Sequence, residues 1–178
     1  MAALLLGPPS PAPAEETLTT PPLRVEVLDG LRLRDIETGT VYRLYGIATC
    51  AADQRALLGR QPWPCGTMAT AWLVTATLTR WIACRVIRDD GEERLARCAS
   101  AEHRDLAADL LHDGLAVVES MTAQDPAVRA YATAEHDARL GHRGLWSGTM
   151  PKLRGFNRPA EASAPDPART SATSEMNP

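Results

Sequence analysis

Aromatic residues make up only 4% of the 178 positions, with a single Phe among them, and Lys152 is the sole lysine beside 18 arginines. The arginine excess reads most simply as a coding bias. No run of 18 apolar residues occurs, so no transmembrane helix is expected. No two of the four cysteines form a CxxC pair, which argues against zinc. A basic excess is missing too. The formal net charge is -3, and setting aside Glu15, Glu16, Glu161, Asp166, Arg169 and Glu175 leaves 18 basic and 17 acidic residues. A nucleic-acid binder normally shows a basic face, so this near-neutral body argues against one without excluding it. There is no internal repeat. The opening "MAALLLGPPSPAPAEE" has a short apolar run and an A-P-A pattern, but lacks the basic start and length of a secretory signal. The expectation is a signal peptide whose true start lies upstream of Met1. A native chain beginning at Met1 or Ala2 on N-terminal sequencing would contradict it.

What is present is a globular composition, 44% hydrophobic and 23% charged, in a chain long enough for one core. Cys50, Cys65, Cys84 and Cys98 are an even set. Two disulfides in an oxidising compartment are expected, which places the protein in the periplasm or outside the cell; the alternative is four buried thiols.

Residues 1–22 and 159–178 are Pro-rich and read as disordered tails around a domain at 23–158. "LRVEVLDG", "LRLRDIETG" and "TVYRLYGI" alternate like strands and stop at turn signals, giving an antiparallel meander. After an irregular loop, Cys65–Arg80 reads as an amphipathic helix with Met68, Trp72, Leu73 and Ala76 on its apolar face. Two more strands surround Asp89-Asp90-Gly91. Pairing about Gly91 sets Cys84 opposite Cys98 and Val86 opposite Ala96, so Cys84–Cys98 can reach disulfide distance. Elimination leaves Cys50–Cys65, one of three possible connectivities. "SAEHRDLAADLLHDG" reads as a helix capped by Ser100 and stopped at Gly114, "LAVVES" as a short extended piece. A last helix has Asp125 as cap, Pro126 in its first turn, and Gly141 or Gly144 at its end. Five antiparallel strands with a helix between the third and fourth is the element order of an OB-fold barrel, an α+β fold with three helices.

Several stretches line up with one family. They are "VLDGLRL" against V-x-DGDTL, "YRLYGI" against RLxGID, "WPCG" (63–66), "ERLARC", "YATAEHDARLGHRGLW" (131–146), and "MPKLR" (150–154) with Leu153 for a Trp. The chain resembles the thermonuclease, or staphylococcal-nuclease-like, family over about 23–154. It is most similar to a cysteine-containing branch labelled thermonuclease-like or succinoglycan-biosynthesis-related. The resemblance implies an OB barrel with three helices and calcium-dependent hydrolysis of DNA and RNA. In that chemistry carboxylates hold the ion, a glutamate acts near the attacking water, and two arginines grip the phosphate.

Carried onto this chain, the first aspartate of DGDTL is Asp29, the metal-binding one is Leu31, and the strand arginine is Arg43. The metal aspartate of GIDAPE is Ala48 and its catalytic glutamate is Ala51. The second arginine falls on Glu93 in an ungapped match, or on Arg94 if the match slides by one. Losing an acid–base group typically costs about 10²–10⁴ in rate. The expectation is therefore a non-catalytic, exported binding or scaffold module, monomeric and without a cofactor. One alternative is a working phosphodiesterase, needing calcium, rebuilt from Asp29, Asp53, Arg43 and Arg94, with Asp29 and Asp53 as metal ligands. The other is a binder of nucleic acid or another polyanion that does not cleave. Arg43 also has a purely structural reading, as ion-pair partner of Asp29 or Glu26. Glu135 and Arg139 fit a helix-supporting pair, His103, His112, His136 and His142 fit the surface, and Trp63, Trp72 and Trp146 fit core or edge packing.

Overall fold

Leu33, Tyr42 and Leu44 are buried, while Arg32, Arg34 and Arg43 alternate with them on the opposite face. This two-residue period lays down the central sheet. The computed structural model describes residues 19–119 and 128–154. In chain order the elements are β1 (Val25–Val27), β2 (Arg32–Asp35), β3 (Val41–Leu44), β4 (Ile47–Thr49), β5 (Ala56–Leu58), β6 (Gln61–Trp63), α1 (Cys65–Thr77), β7 (Ala83–Asp89), β8 (Arg94–Ala99), α2 (Leu106–His112), β9 (Ala116–Val118), α3 (Arg129–Leu140) and a 3-10 turn at Gly144–Ser147.

The main sheet runs β1-β2-β3-β8-β7. Its strands were expected to be all antiparallel. Instead β3 and β8 run parallel, with Tyr42 beside Arg94 and Leu44 beside Ala96. A parallel neighbour needs a long crossover, and the segment holding α1 and β7 supplies it. Ladder hydrogen bonds do not close the sheet, but isolated bridges join its first and last members. Leu23 exchanges two backbone hydrogen bonds with Ile82, and Thr19 bridges to Arg85. Thr19 and Thr20, assigned to the tail by composition, thus belong to the fold. Asp125 and Pro126, with most of both tails, lie outside the described residues.

The third predicted strand divides at Gly46, whose φ of +81° is a left-handed conformation that favours glycine. The chain turns there into β4, which pairs with β9. The irregular loop after it contains the β5–β6 hairpin. On α1 the buried stripe is Ala69, Leu73 and Ala76, and Met68 is 43% exposed. The helix rotates its small side inward because it lies against Gly30, where a Cβ would come within 2.7 Å of the Ala69 Cβ. α2 starts five residues later than expected. Its cap is Asp105, which accepts from the N–H groups of Ala107 and Ala108. Ser100 instead accepts from the His103 N–H and closes the turn before it. α3 ends at Gly141.

Leu33, Leu44, Ile47, Leu73, Ile82, Leu110 and Tyr131 anchor the main core; a smaller one gathers Ala48, Cys50, Ala56, Cys65, Val117, Leu145 and Leu153. Both expected disulfides are formed, Cys84–Cys98 between directly opposed residues of β7 and β8, and Cys50–Cys65 between the loop after β4 and the start of α1. Each closes a loop of about 15 residues, worth roughly 3 kcal/mol in the chain-entropy account. Two carboxylates, the partly buried Asp105 and the buried Glu135, tie elements together. Asp105 accepts from Arg97 (2.7 Å) and from the Tyr131 hydroxyl (2.9 Å) besides capping α2. Burial and the Asp105 charge together push the Tyr131 pKa far up. Glu135 pairs with Arg139 at 3.1 Å, as expected, and also accepts from the Val118 N–H. Among the described residues no helix is long and apolar enough to cross a membrane.

Candidate active site

The turn after β1 is built by Asp29. Its Oδ1 accepts from the backbone N–H groups of Leu31 (2.8 Å) and Arg32 (3.0 Å), and its Oδ2 from Arg32 Nε (2.7 Å). One carboxylate thus shapes the turn and holds a guanidinium. Arg32 also meets Glu93 at 3.2 Å. Its pKa is raised, chiefly by the Asp29 hydrogen bond acting against desolvation.

Arg43 stands directly across from Arg32 on the neighbouring strand. Like charges so opposed repel, and carboxylates on both sides offset this. The partner of Arg43 is Glu119, at 3.7 Å, and neither Asp29 nor Glu26. Asp29 is held by its own turn and by Arg32. Glu26 faces Arg34, its cross-strand neighbour, at 3.3 Å. The β4–β9 pairing delivers Glu119 just beyond the end of β9.

Glu93 comes to this group as partner of Arg32, whereas Arg94 opens β8 opposite Tyr42 and gives its hydrogen bonds to Tyr42 and Asp89. Asp53 is exposed and ion-paired with Arg154 of the closing segment. Asp29, Asp53, Arg43 and Arg94 are therefore each held in a separate ion pair. Leu31 packs against the main core. Ala48 is 5% exposed and belongs to the smaller core with Val117 and Leu145. Ala51 sits in a fastened loop. Its N–H donates to Gln54 Oε1, the Cys50–Cys65 bridge adjoins it, and its carbonyl oxygen would lie 1.8 Å from a Cβ at residue 66, which is glycine.

The profile of the staphylococcal nuclease homologue family matches residues 41–148. The chain belongs to that family. No curated protein matches it. The family match starts at Val41 and so takes in Arg43, Ala48, Ala51, Glu93 and Arg94, while the Asp29–Leu31 turn lies before it.

Calcium, the ion this family implies, takes six to eight oxygen ligands. Leu31, Ala48 and Ala51 offer no side-chain oxygen. Asp29, Glu93 and Glu119 each face a guanidinium. Among the described residues no three His, Cys, Asp or Glu side chains group to hold a metal. The residues present do not fit the ion. Two members of this ion-pair group were missed by sequence reasoning. Arg32 stood in plain view beside Leu31 in "DGLRL". Glu119 carried no local signal, because a long-range strand pairing places it.

Proposed function

We propose that this member of the staphylococcal nuclease family does not hydrolyse phosphodiesters, and that it serves as an exported binding or scaffold module. The observation that carries this reading is the ion-pair group around Arg43. Carboxylates of the chain itself occupy the guanidiniums that would meet a phosphate, and apolar side chains stand at three positions where the family motifs have carboxylates. A phosphate entering there would have to displace Glu119 from Arg43 and would meet net negative charge from Asp29, Glu93 and Glu119. The two disulfides agree with a periplasmic or secreted module. The test is cleavage of a fluorogenic oligonucleotide by the full chain with its disulfides intact, in calcium and in chelator. No calcium-dependent signal is expected. A calcium-dependent signal abolished by Arg43→Ala would overturn the proposal.

A further inference from the structure

We infer that the cavity beside the Cys84–Cys98 bridge binds a phosphate-class oxyanion. This cavity, about 280 Å³, is lined by Thr19, Arg85, Arg97, Cys98, Arg104 and Asp105 among others. Arg85 and Arg97 are direct partners across β7 and β8, so their side chains leave the same face. Opposed like charges need a counter-charge. Arg97 has one, donating to Asp105 Oδ2 at 2.9 and 2.7 Å. That carboxylate is already in use: Oδ1 accepts from two α2 N–H groups, and the Tyr131 hydroxyl lies 2.9 Å from both oxygens. It has little capacity left for other cations. Among the described residues, no carboxylate lies within ion-pair distance of Arg85 or of Arg104, which is exposed. Three guanidiniums face one carboxylate, an excess of two positive charges around a space that holds a tetrahedral oxyanion with some of its water. Planar guanidiniums recognise phosphate oxygens in pairs, and Thr19 adds a hydroxyl at the rim. The inference is independent of the reading of the Arg43 group, because no residue is shared between the two.

The experiment is calorimetric titration of the full, disulfide-bonded chain with inorganic phosphate and, separately, glycerol 3-phosphate, at fixed ionic strength. One site per chain is expected, and the tighter of the two ligands identifies free phosphate or a phosphomonoester as the source. Arg85→Ala and Arg104→Ala should each weaken binding about tenfold, and Arg43→Ala should leave it unchanged. Glu15 and Glu16 lie shortly before Thr19 in the sequence, so the titration is repeated in a Glu15→Gln, Glu16→Gln chain to remove competing carboxylates. Absence of binding in both backgrounds overturns the inference. So does binding that survives Arg85→Ala with Arg104→Ala, or that is lost on Arg43→Ala instead.

Discussion

Two pairs of arginines face each other across neighbouring strands of the same sheet, Arg32 with Arg43 and Arg85 with Arg97. The first pair has three carboxylates in reach, Asp29, Glu93 and Glu119. The second has one, Asp105, which also caps a helix and receives a tyrosine hydroxyl. The sheet register alone would make the two sites alike. The loops and helix ends around them make one self-neutralised and the other cationic. An arginine in the place of a phosphate clamp is therefore no clamp by position; its neighbours decide whether its charge is available.

The comparison can be broken most forcefully at Asp105. Asp105→Ala strips Arg97, Tyr131 and the α2 cap of their partner at once. Losing the cap costs about 1 kcal/mol and losing the hydrogen bonds of Arg97 and the Tyr131 hydroxyl to a carboxylate about 1.5 kcal/mol or more each, roughly 3–5 kcal/mol in all, to be read from urea denaturation. A loss below about 1 kcal/mol would mean that the network does not hold β8, α2 and α3 together. Next in size is the bridge beneath the second pair. Cys84→Ala with Cys98→Ala should cost about 3 kcal/mol by releasing a 14-residue separation in the unfolded chain. A double variant as stable as the parent in the same urea titration would contradict that.

Glu119→Gln sharpens the contrast from the other side. The partly exposed pair with Arg43, 3.7 Å apart, contributes about 1 kcal/mol or less to stability, so melting should hardly change. Affinity for a single-stranded oligonucleotide should rise, and fall again steeply with salt. Unchanged affinity would show that Glu119 is not what silences Arg43. The smallest effect concerns a carboxylate outside both pairs. Burial alone would raise the Asp35 pKa, but the Thr38 hydroxyl and the N–H groups of Glu37 and Thr38 outweigh it and hold it below the ordinary value. A lowered carboxylate pKa stabilises the fold above the ordinary aspartate range and loses that contribution as the pH falls through the folded value. The stability gap between the parent and Asp35→Asn should be full above about pH 4 and shrink in more acid solution. A gap that widens there would reverse the sign.

Much of this was legible in the sequence because it depends on local pattern. The alternation in "VYRLYG", the Asp89–Gly91 turn and the symmetry of Cys84 and Cys98 about it fixed strand, hairpin and disulfide without tertiary information. The family motifs singled out Arg43, Leu31, Ala48 and Ala51 as the positions to inspect. The parts that escaped depend on long-range placement. The parallel β3–β8 pairing is made only after α1 crosses over. The apolar face of α1 was legible at Leu73 and Ala76, but Met68 is exposed because the space at Gly30 rewards Ala69 where composition favoured Met68. Ser100 and Asp105 are both acceptable caps by type, and the contacts of Asp105 with Arg97 and Tyr131 distinguish them. Glu119 joins Arg43 through β4 and β9, segments about 70 residues apart in sequence.

The most direct test of the central claim is calorimetric titration of the full, disulfide-bonded chain with calcium. The account expects no stoichiometric binding at millimolar calcium, because Leu31, Ala48 and Ala51 supply no side-chain oxygen ligands and the nearby carboxylates hold guanidiniums. One calcium bound per chain, and lost on Asp29→Asn or Asp53→Asn, would contradict it and return the chain to the working nucleases of its family.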